Sequence, residues 1–231
     1  MRKNSYFLAP AGALAAIFIS SLGLTGCVAA AVPLIAAEVG AVGFAGYKLV
    51  QTSTGGEVGV DFPEDKNGSG PDPLPAVKKI AVWPVGAGDV HFAEELSKSG
   101  KLKVVPPARV SALLSRAGIS ENLKMMTVAE QETAYARVCR SAGSELVFAT
   151  HPHGQKMNNN TFSLSRATIT YTTDLTAYSC KKRQTVWKDR ISLVQELGQD
   201  NIASNEELNR IGAEAEADRV LQAMKLKSAS G

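Results

Sequence analysis

Lys79-Ile80-Ala81-Val82-Trp83-Pro84 is a short apolar run stopped by a proline, and it reads as a β-strand buried on both faces. Such a strand needs a layer of helices on either side of its sheet, and the downstream sequence supplies them. Gly86 and Gly88 form a loop, and Asp89 is placed to cap a helix that ends near Gly100. Leu102 to Val105 reads as a second strand. After Pro106-Pro107, Val110, Leu113, Leu114 and Ala117 make one helical stripe, with Gly118 as its stop. Thr127 caps a further helix with Glu130 as reciprocal partner; its inner face carries Val128, Gln131, Tyr135, Val138 and Ala142, and Gly143 ends it. Glu145 to Thr150 is a third buried strand.

A long hairpin follows. The odd positions Ala167, Ile169, Tyr171, Thr173, Leu175 and Ala177 share a face with Trp187, Ile191 and Leu193 only if paired positions sum to an even number. A three-residue loop at Lys181-Lys182-Arg183 meets that condition, pairing Cys180 with Gln184 and Ala177 with Trp187. Ser204 or Asn205 then caps a helix displaying Leu208, Ile211, Ala215, Val220 and Met224. The expected fold is therefore α/β: a mixed sheet of about five strands flanked by helices, with a C-terminal antiparallel hairpin and a final helix, over residues 77–226. Residues 227–231 form a tail.

Upstream, Pro63 to Pro75 holds four prolines and two glycines among charged residues, so 63–76 reads as a flexible linker. Val58, Val60 and Phe62 alternate with Glu57, Gly59 and Asp61, as in a short strand along a sheet edge. Residues 28–50 are apolar and rich in small side chains, with Gly40, Gly43 and Gly46 three apart. On a helix that spacing makes a smooth strip, suited to self-association or to lying against a lipid leaflet. A helix packed on its own domain, or a plain tether, accounts for the same pattern.

The N-terminus opens with Arg2 and Lys3, continues through an apolar run from Phe7 to Leu24, and closes on Leu24-Thr25-Gly26-Cys27. This pattern resembles the lipobox of bacterial lipoproteins. The resemblance implies that 1–26 is a signal peptide, that Cys27 receives a diacylglyceryl group, and that the freed N-terminus is acylated. Residues 27–62 would then be the lipidated N-terminal segment. Several acyl chains anchor stably, since each buried methylene contributes roughly 0.8 kcal/mol. Val28 and Ala29 are not acidic, which in that family resembles an outer-membrane substrate facing the periplasm.

The chain has 231 residues with 25 basic and 22 acidic side chains; without Arg2 and Lys3, 23 basic residues face 22 acidic ones. There is no basic stripe and few aromatics, so nucleic acid is not an expected partner. Beyond Cys27 only Cys139 and Cys180 remain. An oxidising compartment permits a disulfide between them, and two separate buried thiols are the alternative.

Three segments together, Val77-Lys-Lys-Ile-Ala-Val-Trp-Pro84, Lys103-Val-Val-Pro-Pro-Ala-Arg-Val-Ser-Ala-Leu-Leu114 and Ala142-Gly-Ser-Glu-Leu-Val-Phe148, resemble a periplasmic domain family. Its members include the TolB N-terminal domain, the curli secretion lipoprotein CsgG and lipoprotein activators of penicillin-binding proteins. The resemblance implies a non-enzymatic interaction or assembly module of the cell envelope, which binds another envelope protein or itself. A subunit of a CsgG-like secretion channel is one alternative, with 161–195 as the stretch to examine; a cell-wall or lipid hydrolase is another.

Chemistry is sparse. His151-Pro152-His153 follows the third strand and reads as a loop at its end, without the companions a metal site requires. Gly86-Ala87-Gly88 lacks the third glycine and the lysine of phosphate-binding loops, and no Gly-x-Ser-x-Gly elbow exists. Asp174 and Asp189 fall on opposite hairpin faces and read as solvated charges, and Lys181-Lys182-Arg183 is a compact positive tip. No catalytic residue, metal ligand or cofactor is expected.

Overall fold

The computed structural model describes residues 48–53, 55–63, 71–158, 167–196 and 202–226. Leu24, Thr25, Gly26 and Cys27, together with Gly40, Gly43 and Gly46, lie outside them, as does the 64–70 stretch of the expected linker.

The elements run β1 (Lys48–Gln51), β2 (Glu57–Asp61), β3 (Lys79–Val82), α1 (Ala87–Lys98), β4 (Lys103–Val105), α2 (Pro107–Arg116), a 3-10 turn (Leu123–Met125), α3 (Val128–Ala142), β5 (Leu146–Asn158), β6 (Thr168–Ser179), β7 (Gln184–Glu196) and α4 (Asn205–Ala223). The strands form one sheet in the order β1-β2-β7-β6-β5-β3-β4. β3 is parallel to β4 and β5, and every other pairing is antiparallel. The class is mixed α/β, as the alternation of elements implied.

Residues of β3 and β5 alternate between two cores. Ile80, Val82, Leu146 and Phe148 pack with Phe92 and Leu96 of α1 and Val220 of α4. Ala81, Trp83, Val147 and Ala149 pack with Val110 and Leu114 of α2 and with Tyr135 and Val138 of α3. Ile80, Ala81, Val82 and Trp83 are each at most 1 % exposed. Two helical layers cover this strand, which is why it carries no polar alternation. Trp83 keeps its indole N–H satisfied by donating to the Glu121 carbonyl at 2.9 Å.

The sheet has seven strands, not about five. The added pair is the β1–β2 hairpin, which docks on β7 through β2 with Val60 opposite Leu193. Val58 and Val60 are buried with Ile191, Leu193, Leu208 and Ile211 in a third core beneath the first turns of α4. β2 is thus interior to the sheet and β1 takes the edge. Residues 48–61, which the sequence assigned to the N-terminal segment, belong to the same sheet as the domain.

Residues 71–76, expected as linker, pack on the domain. Leu74 is buried and its N–H donates to the Ala223 carbonyl at 2.9 Å, while the Asp72 carbonyl accepts the Trp187 indole N–H at 2.9 Å.

Turn and cap chemistry agree with the sequence at most positions. Thr127 and Glu130 form the reciprocal cap of α3, with the Thr127 N–H donating to Glu130 Oε2 at 2.7 Å. Gly143 ends that helix at φ +60, a conformation that a side chain would strain. Ser204 accepts the Glu207 N–H at the start of α4. Val128, expected on the inner face of α3, is 73 % exposed, and Ala129 and Glu130 beside it in the first turn are exposed as well.

Ala177 pairs with Trp187 as the parity argument required, and Tyr171 with Leu193. The loop itself differs. Ser179 pairs with Gln184, and the register shifts between Ala177 and Tyr178. A four-residue loop, Cys180 to Arg183, replaces the expected three, and one extra residue near Val186 restores the face assignment. Cys139 of α3 and Cys180 are joined by a disulfide with their Cα atoms 5.6 Å apart.

Candidate functional site

Because β5 is parallel to β3 but much longer, it continues past the carboxyl end of its neighbour, where the chain turns into α1. α4 crosses the same face. A cleft of about 490 Å3 opens between the start of α1, the exposed half of the β5–β6–β7 ribbon and α4. Crevices beyond the carboxyl ends of parallel strands are where open α/β sheets bind ligands, and this volume suits a small molecule or a single large side chain.

Two carboxyl groups sit in it. Asp89 was expected to cap α1, but the helix starts at Ala87 with Gly86 as its cap residue. Glycine has no side chain to accept a hydrogen bond, so Asp89 reaches back from the first turn. Its Oδ2 accepts the N–H groups of Val85 at 2.7 Å and Gly86 at 2.6 Å, and its Oδ1 accepts the Thr150 hydroxyl at 2.8 Å. Burial pushes the Asp89 carboxyl up, and these three donors offset part of the shift. The second carboxyl is Glu216 of α4, 8 % exposed and lining the cleft. It makes no hydrogen bond among the described residues. Burial pushes it up to about 8, and the nearby Asp89 charge adds to the shift. At neutral pH, Glu216 is therefore a neutral acid facing the cavity while both Asp89 oxygens are engaged.

The remaining wall is neutral. Val85, Tyr171, Ile191, Leu193 and Leu208 give apolar surface, and Asn205, Asn209, Gln155 and Thr172 give amide and hydroxyl groups. No described lining residue is basic. Gly212 lets α4 approach the ribbon, since a Cβ there would come within 3.3 Å of Leu193 Cδ1.

The opposite face of the ribbon holds a second polar group. β5 does not stop at Thr150: His151, Pro152 and His153 are inside the strand, which runs to Asn158, so the expected loop is absent. A register break between Pro152 and Gly154 frees His153 from the ladder and re-aims its ring. His153 Nε2 lies 2.6 Å from Asp174 Oδ2, and Arg190 donates from Nε to Asp174 Oδ1 at 2.6 Å and from Nη2 to Oδ2 at 3.2 Å. The Arg190 guanidinium, helped by His153, holds the Asp174 carboxyl below its usual range. His151 is pushed down by burial, and its Nε2 is 3.3 Å from the Thr176 hydroxyl. The arrangement is a charge clamp that ties β5, β6 and β7 together. Among the described residues no group of three metal-ligating side chains occurs.

Asp174 and Asp189 lie on opposite faces, because Asp189 pairs with Leu175 and Asp174 with Arg190. Asp189 is not a solvated charge: it is buried and accepts Arg219 Nε at 2.8 Å, with both side chains 7 % exposed. The Arg219 guanidinium also lies 4.4 Å from the centre of the Phe62 ring. Lys181, Lys182 and Arg183 are exposed at the hairpin tip. Of the residues singled out in the sequence, the structure joins Cys139 to Cys180 and brings Gly86, Gly88 and Asp89 into the cleft. It keeps the histidine pair on the far face of the ribbon. Sequence reasoning missed Glu216. The available signal was its position four residues before Val220 and eight after Leu208, which places an acid on the apolar stripe of α4.

No family model matches the chain, and no curated protein matches it. Among solved structures, it is similar to lipoprotein GNA1162 from Neisseria meningitidis, with 15 % identity and a TM-score of 0.41 over 63 % of this chain and 99 % of that one. It is also similar to the PelC dodecamer from Paraburkholderia phytofirmans, with 9 % identity and a TM-score of 0.37 over 74 % of this chain and 99 % of that one. A third similar structure is the LpoB C-terminal domain from Escherichia coli, with 14 % identity and a TM-score of 0.34 over 55 % of this chain and 87 % of that one.

Proposed function

We propose that this chain is a lipid-anchored periplasmic protein of the bacterial cell envelope, held at the outer membrane through Cys27, whose α/β domain binds another envelope protein or a second copy of itself without catalysing a reaction. The observation that carries the reading is Leu24-Thr25-Gly26-Cys27 at the end of a charged and then apolar N-terminus. The Cys139–Cys180 disulfide supports it independently, because disulfides persist in oxidising compartments and are rare in the cytosol. A tether beside a bilayer raises the domain's effective concentration toward partners on the same surface.

The non-enzymatic reading is supported by how the cleft's groups are used. Both oxygens of Asp89 are committed to backbone and Thr150 donors, which leaves it poorly placed as a general base. The histidines face the other side of the ribbon, bound into the Asp174 clamp or the Thr176 contact. The channel alternative would have to draw β6 and β7 out of the sheet, and Leu175, Ala177, Trp187, Ile191 and Leu193 of those strands are buried under α1 and α4.

The test is fractionation and crosslinking in intact cells. Cys27→Ser is expected to move the protein out of the membrane fraction. Residue-specific crosslinkers around the cleft are expected to capture one discrete envelope protein or the chain itself. A Cys27→Ser protein still firmly in the membrane, together with no discrete crosslinked product, would overturn the reading.

A further inference from the structure

We infer that the cleft between α1 and α4 is a binding site for an organic cation, an ammonium or guanidinium on an aliphatic stem, which enters to meet the Glu216 carboxyl group. The inference deepens the binding role proposed above, since the basic side chain of a partner polypeptide carries this chemistry and so does a free amine.

Three observations converge. First, Glu216 is more than nine-tenths buried, lines the cavity and makes no hydrogen bond among the described residues. The carboxyl group meets no donor from the described residues, so a donor that enters the cavity finds a free acceptor there. Second, the ionisable groups that the described lining presents are Asp89 from α1, Tyr171 from β6 and Glu216 itself. β5 and β7 contribute none, and no basic residue is present to neutralise the acids. Asp89 cannot turn outward without abandoning Val85, Gly86 and Thr150, so it supplies negative field while Glu216 supplies the contact. Third, apolar surface from Val85, Ile191, Leu193 and Leu208 leads to the acid, which suits methylene groups behind a charged head. A bare metal ion fits less well, because hard divalent cations are usually held by several carboxylates, and of the two lining carboxyl groups Asp89 is already committed to Val85, Gly86 and Thr150.

The geometry carries a linkage. Glu216 is held protonated at neutral pH by burial and the Asp89 charge. A cation that pairs with its ionised form must expel that proton, so affinity rises with pH below the Glu216 pKa, by at most about tenfold per pH unit.

The test is calorimetric titration of the full-length protein in detergent micelles between about pH 6 and pH 8. One probe is n-butylguanidinium. The second is the blocked peptide Ac-Ala-Ala-Arg-Ala-Ala-amide, with its norleucine counterpart as uncharged control. Expected are binding of at least one cationic probe, release of close to one proton at neutral pH measured in two buffers of different ionisation enthalpy, and affinity that climbs by roughly fifty-fold over the range. Glu216→Gln is expected to weaken binding by about tenfold or more and to abolish the pH dependence. Binding of the peptide alone assigns the site to a partner's side chain, and binding of butylguanidinium alone assigns it to a small free organic cation. The proposal is overturned if neither cation binds, if the norleucine peptide binds equally, or if Glu216→Gln leaves affinity unchanged. Proton release by the unmodified protein keeps the proposal falsifiable should the variant fold poorly. None of these readouts requires an acyl chain on Cys27, so the cleft and the anchor fail separately.

Discussion

Glu216 illustrates how one side chain sets a pH profile. Its pKa is about 8 in the folded protein against 4.5 in the unfolded chain. The native state therefore holds one more proton than the unfolded state between those values, and stability falls as pH rises through that window. The span to pH 7 corresponds to a cost of roughly 3 kcal/mol. Glu216→Gln removes it, so urea unfolding near pH 5 and near pH 8 should show the variant gaining on the parent by a few kcal/mol as pH rises. Parallel profiles would contradict this. Asp189 contributes through its ion pair. It is buried against Arg219, and Asp189→Ala removes the carboxylate that faces this buried guanidinium, which costs about 3–5 kcal/mol. Chemical denaturation measures it, and an effect below about 1 kcal/mol, typical of an exposed pair, would show the bridge to be unimportant. Beyond the place of Glu216 on the apolar stripe of α4, neither role was visible in sequence, because an acid on an amphipathic helix or hairpin reads as solvated until the element that covers it is known.

At the scale of elements, the readable features were those decided locally. The two-sided burial of Ile80 to Trp83, the Thr127–Glu130 cap, the Gly143 stop and the facing of Ala177 with Trp187 follow from spacing and side-chain chemistry alone. What failed depended on distant partners. β1 becomes a strand only because β2 docks on β7, and Leu74 is ordered only because the end of α4 and Trp187 meet its segment. β5 runs on through His151 and His153 because β6 is there to pair with it. The disulfide links α3 to the end of β6 across 41 residues. By the chain-entropy relation a loop of that length stabilises by about 4 kcal/mol. Cys139→Ser combined with Cys180→Ser should therefore lower the unfolding midpoint markedly in scanning calorimetry. A melting temperature unchanged by the double substitution or by reductant would refute that role.

For the whole molecule, the proposed lipid anchor at Cys27 precedes a seven-stranded domain with an acid-lined cleft. The domain's interior explains its stability, and the cleft supplies a place for a basic group. The compartment in which both operate rests on Cys27, so the decisive measurement is intact-mass spectrometry of the protein extracted from membranes. The account predicts a chain that begins at Cys27 and carries the added mass of a diacylglyceryl group and an N-terminal acyl chain. A chain still beginning at Met1, or one with an unmodified thiol at Cys27, would contradict it.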